Sequence, residues 1–250
     1  MNETGRKSPA NLPAALDREF LFGDSMRGVR FLLEYAKAEE HLRNWSVRST
    51  IIVFGSARIR EHDAGRRGWW YDQARRFGRI ASERGGAMKD NSGVRDNVIA
   101  TGGGPGIMEA ANRGAREAGA PTIGFNIELP REQEPNPYIT PDLCFSFHYF
   151  AMRKMHLAMR AHALVVFPGG FGTLDELFEM LTLSQTERAP TIPVVLFDGD
   201  YWRRIVNFEA LAEEGMIAPA DLDLFDFAND AEEAWATLRR RGLKTYASTD

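Results

Sequence analysis

A single cysteine, Cys144, leaves the chain without an internal disulfide. It lies in the apolar run Leu143-Cys144-Phe145-Ser146-Phe147, where a thiol reads as a packing group and not as a nucleophile. The five histidines have no ligand-like spacing and only that cysteine to join them, so neither a metal site nor any other cofactor is expected. No apolar run approaches membrane-spanning length, and Met1 to Pro13 is polar and broken by Gly5, Pro9 and Pro13. The expected location is therefore the cytoplasm, with no membrane partner. Basic excess is also missing: 31 Lys and Arg face 35 Asp and Glu, for a net charge of -4. That balance argues against nucleic acid as a partner while leaving room for a local basic pocket. Internal repeats and low-complexity linkers are absent too.

Two familiar nucleotide signatures are missing as well. A dinucleotide fingerprint needs a third glycine, but that position holds Ile107 after Gly102 and Gly104, and Asp175 after Gly170 and Gly172. The Walker phosphate loop does not occur.

What is present is enough apolar residue, 44% of 250, for one substantial core. Polarity and Pro/Gly content predict a loose tail over residues 1–23, followed by a single domain over 24–250. That domain opens with a helix over 24–43, capped by Asp24 or Ser25, whose stripe of Val29, Leu32, Leu33 and Ala36 would suit a subunit contact. Strands are expected at Thr50 to Ala57, Val98 to Thr101, Thr122 to Ile127, Leu143 to Phe147, Val165 to Phe167 and Ile192 to Phe197, with an extended Leu222 to Phe227. Helices between them predict a doubly wound, Rossmann-like parallel sheet in the α/β class. On the helix from His148 to His162, Met152, Met155 and Met159 should face the core, while Arg153, His156 and Arg160 share another side.

The most informative stretch is Val165-Val166-Phe167-Pro168-Gly169-Gly170-Phe171-Gly172-Thr173-Leu174-Asp175-Glu176, a strand, a glycine turn and a helix start. Such a turn opens onto unpaired N–H groups where the helix dipole is positive, which suits phosphate. Gly169, Gly170 and Gly172 should let the backbone approach an anion and adopt positive φ, with the Thr173 hydroxyl beside them. A second turn, Gly102-Gly103-Gly104-Pro105-Gly106, follows the Val98 strand. Two glycine turns at strand ends can flank one crevice, sized for a mononucleotide.

Pro168-Gly169-Gly170-Phe171-Gly172-Thr173-Leu174-Asp175-Glu176, preceded by Met152-Arg153-Lys154 and by the Gly102 to Gly106 turn, resembles the LOG ("lonely guy") family over roughly Ser49 to Phe227. The loop Glu128-Leu129-Pro130-Arg131-Glu132-Gln133-Glu134-Pro135-Asn136-Pro137 and Phe147-His148-Tyr149-Phe150 look like the larger bacterial branch. The resemblance implies hydrolysis of the N-glycosidic bond of a purine nucleoside 5'-monophosphate, AMP or an N6-substituted AMP, to free base and ribose 5-phosphate. It implies Arg153 and Glu176 as the catalytic pair. Gly103, Gly104, Gly106, Glu132, Lys154, Gly169, Gly170, Gly172, Thr173, Asp175 and Thr191 are the expected substrate contacts. It also implies a homo-oligomer, a dimer or a hexamer.

The chemistry suits those residue types. Breaking a C1'–N bond builds oxocarbenium character on ribose, which an ionised carboxylate beside the sugar stabilises, and the same group can orient water. A guanidinium holds phosphate and ribose oxygens in fixed geometry. Helix geometry alone leaves Asp175 nearly equal to Glu176. A non-catalytic carrier of a nucleotide or of molybdenum cofactor is the alternative on the same fold, and the Arg153 and Glu176 pair speaks for the enzyme. Lysine decarboxylase, a label this family has carried, lacks a recognisable pyridoxal phosphate lysine site here.

Overall fold

The computed structural model describes residues 9–88, 93–128, 134–188 and 190–245. Seven strands form one sheet: β1 (Thr50–Phe54), β2 (Val98–Thr101), β3 (Ile123–Ile127), β4 (Cys144–Phe147), β5 (Ala161–Val166), β6 (Val194–Phe197) and β7 (Asp226–Ala228). Every pairing is parallel and the order is β4-β3-β2-β1-β5-β6-β7. Order runs one way from β1 to β4 and the other from β5 to β7, so the topological switch lies between β1 and β5. The β-branched runs that suggested strands are buried on both faces, with β1 and β2 fully so.

Two helical layers cover the sheet. On one side α3 (Arg66–Gly85), α4 (Ile107–Glu117) and α9 (Ala231–Arg240) bury Tyr71, Phe77, Ala111 and Leu238 against Ile51, Val53, Ile99 and Val165. Gly78 and Gly114 let α3 and α4 touch, since a Cβ at either would fall within 2.2 Å of the other helix's backbone. On the other side α2 (Arg27–Asn44), α5 (Phe150–Met159) and α6 (Phe171–Gln185) place Leu42, Leu157, Leu177 and Leu181 over Ile52, Phe54, Leu164 and Val166. Removing a residue such as Leu164 to Ala would cost about 2–5 kcal/mol at a site this closely packed.

Several boundaries depart from the sequence reading. Within the expected loose tail, Ala14–Leu16 forms a 3₁₀ turn and α1 (Arg18–Phe22) a short helix capped by Asp17, which accepts the Phe20 N–H at 3.0 Å. Neither Asp24 nor Ser25 caps α2. Instead Asp24–Met26 is a 3₁₀ turn, in which the Met26 N–H donates to the Gly23 carbonyl and the Arg27 N–H to that of Asp24 as α2 begins. Residues 201–214 make two helices, α7 (Gly199–Ile205) and α8 (Phe208–Glu213), parted by Asn207, whose side chain caps the second. The first half of Leu222 to Phe227 is not extended: Pro219–Leu224 is a 3₁₀ segment, because Pro219 sets the turn and the side chain of Asp221 accepts the Ala218 N–H, whereas Phe225 is extended and leads into β7.

The α2 stripe faces away from this core: Val29, Leu32 and Leu33 are exposed. The helix docks through another face, where Phe31 meets Tyr149 edge-on at 4.3 Å, Tyr35 stacks on His156, and Glu34 accepts the N–H groups of His148 and Tyr149 at 2.9 and 3.3 Å.

Candidate active site

The end of β1 ties the two glycine turns together. The Ser56 N–H donates to the Pro168 carbonyl at 3.0 Å, and the Ser56 carbonyl accepts the Ile107 N–H at 3.1 Å. Both turns therefore rim the crevice at the switch between β1 and β5, where open parallel sheets bind ligands.

The Gly102 turn is rigid. Gly103 and Gly106 lie at φ +74° and +75°, and a Cβ at either would collide with Asn126 or with the Ser56 carbonyl, at 2.1 and 2.3 Å. Asn136 clamps the turn: its side chain donates to the carbonyls of Gly103 and Gly104 at 3.2 and 3.1 Å and to Asn112 at 2.9 Å. The only hint of this clamp in the sequence is an asparagine between Pro135 and Pro137 in a polar loop, a position that reads as solvated until β2 and β3 bring the turn against it.

The turn after β5 works differently. Gly169, Gly170 and Gly172 do not adopt positive φ as expected; Gly170 is extended at φ -100°. Their lack of a side chain gives room instead. A Cβ at Gly170 or Gly172 would meet nothing within 4 Å, and one at Gly169 would strike the Thr173 hydroxyl at 2.1 Å. Gly170 caps α6 without a side-chain bond, and among the described residues the N–H groups of Gly170, Phe171 and Gly172 find no acceptor. Successive open N–H donors at a helix start are suited to an anion. Thr173 is buried behind them.

One turn into α6, Glu176 meets Arg153 of α5 in a buried ion pair. Arg153 also lies under the Phe150 ring, 5.6 Å from its centroid, and approaches Gly102 closely enough that a Cβ there would sit 3.4 Å from its Nη1. Arg153, Glu176, the Gly102 turn and the Gly169 turn are thus assembled at one place. Burial pushes the Glu176 carboxyl above its ordinary value, opposed by the positive charges of Arg153 and Lys154. Asp175, indistinguishable from Glu176 by spacing, is half exposed and bonds Lys154 at 2.8 Å. Lys154 also reaches Glu179 at 2.9 Å, so it bridges α5 to α6 and is itself half-buried.

The buried face of α5 carries Arg153, His156 and Leu157; of the three methionines expected in the core, Met152 packs against it half-buried, Met155 is half-buried and Met159 is exposed. His156 can be buried because it stacks among Tyr35, Phe125 and Phe147 and its pKa is lowered by burial. Glu132 lies outside the described residues. Thr191 is exposed and precedes β6, at the strand-start end of the sheet opposite the glycine turns, so the fold does not bring it to the pair. Among the described residues no three His, Cys, Asp or Glu side chains gather as metal ligands, and no helix is long and apolar enough to cross a membrane.

Comparison with known proteins bears on the fold and the family. A structural-genomics X-ray structure, TM1055, superposes with a TM-score of 0.54 over 77% of this chain and 99% of its own, at 21% identity, which establishes the common fold. The cytokinin riboside 5'-monophosphate phosphoribohydrolase of Rhodococcoides fascians is 36% identical over 37% of this chain. The enzyme of the same name, LOG3, from Arabidopsis thaliana is 28% identical over 55% of this chain. These alignments span 47% and 64% of the two relatives' own lengths. The family model described as "Possible lysine decarboxylase" matches residues 108–238, just over half of the sequence, taking in the Arg153-bearing helix and the Gly169 motif and beginning just after the Gly102 to Gly106 turn. With that match and those relatives, the chain belongs to the LOG family.

Proposed function

We propose that the protein hydrolyses the N-glycosidic bond of a purine nucleoside 5'-monophosphate, AMP or an N6-substituted relative, releasing free base and ribose 5-phosphate. The observation that carries this reading is the buried Arg153 and Glu176 pair lying one helical turn from three open N–H donors. The names of the relatives support the same class of substrate.

The 5'-phosphate sits on the N–H groups of Gly170, Phe171 and Gly172, with the Gly102 to Gly106 turn on the opposite wall. That anchor sets C1' against Glu176. As the C1'–N bond lengthens, the ionised carboxylate faces the positive charge on the ribose and orients a water. The water oxygen bonds C1', the bond electrons leave with the base nitrogen, and a proton balances the departing base. Arg153 holds the carboxylate in place and keeps it ionised against its burial; a neutral residue there would leave Glu176 protonated more readily. Lys154, joined to Asp175 and Glu179, stiffens the α5–α6 contact.

The test is a nucleotide panel incubated with purified protein while released base is measured. Release from AMP by the native chain, lost in Glu176→Gln, is the expected result. Nucleotide binding without release would favour the carrier instead.

A further inference from the structure

Tyr201 of α7 is half-buried and donates its hydroxyl to the Gly169 carbonyl at 2.7 Å. It reaches the turn from the neighbouring strand, since α7 follows β6 and β6 pairs with β5. Its ring is held by the edge of Trp70, with centroids 5.6 Å apart at 75°, and by Trp202 at 5.4 Å. Beneath lies Asp198, buried and in the left-handed region at φ 69°. Asp198 accepts the Trp70 indole N–H at 2.7 Å, pairs with Arg66, and receives the Tyr201 N–H on its carbonyl at 3.0 Å. A strained backbone and four ordered side chains thus converge to hold one hydroxyl against one loop carbonyl.

The consequence follows from peptide geometry. Across a trans peptide the carbonyl and the next N–H point in opposite directions, so fixing the Gly169 carbonyl fixes the direction of the Gly170 N–H. That N–H is the first of the three open donors, and Gly170 has no side chain of its own to restrain it.

We propose that Tyr201 is a positioning residue for the phosphate: its bond to Gly169 pre-orients the Gly170 donor, so that affinity for 5'-phosphorylated ligands depends on a hydroxyl that never touches them. This rests on the phosphate-site reading above. It goes beyond that reading by assigning the order of the turn to α7, outside the glycine motif.

Tyr201→Phe removes the hydroxyl and keeps the ring. AMP and inorganic phosphate are titrated into the native chain and the variant, with adenosine as the ligand lacking phosphate, and thermal midpoints are compared. The expected result is a dissociation constant for AMP raised about tenfold, the equivalent of one lost hydrogen bond, with adenosine affinity changed less than twofold and the midpoint unmoved. A purely structural role would weaken AMP and adenosine alike, and that outcome overturns the proposal, as does equal AMP affinity in the two proteins. If Tyr201→Phe does not fold, the same AMP-against-adenosine comparison is read from Trp70→Phe, which loosens the ring and spares the hydroxyl. Base release is followed in parallel. AMP-selective weakening in a native chain that releases no base would refute hydrolysis and sustain the role of Tyr201, whereas a native chain that binds neither AMP nor phosphate refutes both.

Discussion

Glu176 and Asp175 are adjacent carboxylates on the same first turns of a helix, and they differ in what surrounds them. Glu176 is buried against Arg153, whereas Asp175 is half exposed and tied to Lys154. Burial raises the Glu176 pKa above 4.5. In the proposed mechanism the ionised form is the active one, so activity should be lost as pH falls through that raised value, and the acid limb of kcat/KM should lie above that of an ordinary glutamate. Arg153→Ala removes the opposing charge and should shift that limb to higher pH, while Glu176→Gln should abolish it and lower turnover by at least ~100-fold. An unchanged limb in Glu176→Gln would move the role to another group. His156 makes a separate, structural prediction. Burial lowers its folded pKa below 6.5, with Arg160 acting the same way and Glu39 opposing. Between those values the unfolded chain binds a proton that the folded one does not, so stability falls as pH drops below 6.5. His156→Phe should flatten the thermal midpoint between pH 6.5 and 5, and an identical slope in both proteins would assign the loss to other groups.

At the scale of elements, the two glycine turns look alike in sequence and do different work. In the Gly102 turn the glycines serve the fold. Gly106→Ala would place a Cβ at positive φ and 2.3 Å from the Ser56 carbonyl, and should destabilise the protein by about 2 kcal/mol or more. In the Gly169 turn they leave open space, which we assign to the phosphate. Gly170→Ala should fold normally, since φ is -100° and nothing lies within 4 Å, yet weaken nucleotide binding. Thermal melts of the two variants separate these roles; equal destabilisation would contradict the assignment. The sequence carries the strands well because their β-branched runs are buried on both faces, and it carries the Gly169 motif because the chemistry is local. It does not carry the Asn136 clamp or the Tyr201 bond, whose partners lie 24 to 33 residues away. It shows only part of the buried face of α5: His156 reads as a core or pocket-wall residue and is buried among aromatic rings, whereas Arg153 can be read as a solvated helix residue until Glu176 is brought against it.

At the scale of the molecule, the parallel sheet places β1 between the strands that lead into the two turns, and Ser56 at its carboxyl end ties those turns together. The N-terminal helices add a second consequence. Arg30 of α2 binds the Tyr149 hydroxyl and the carbonyls of Leu21 and Gly23, all at 2.8 Å, so α1 and α2 fasten the start of the helix that carries Arg153. The exposed Leu32 and Leu33 on the far side of α2 remain the surface on which we place a contact between copies of the chain. In the proposed mechanism the glycine turns anchor a 5'-phosphate and thereby set the glycosidic bond against Glu176. The most direct test is kcat/KM for AMP against adenosine in the same assay. Losing a charged, multiply hydrogen-bonded anchor costs roughly 4 kcal/mol or more, so AMP should be cleaved and adenosine at least ~1000-fold less efficiently. Comparable values for the two substrates would contradict the account.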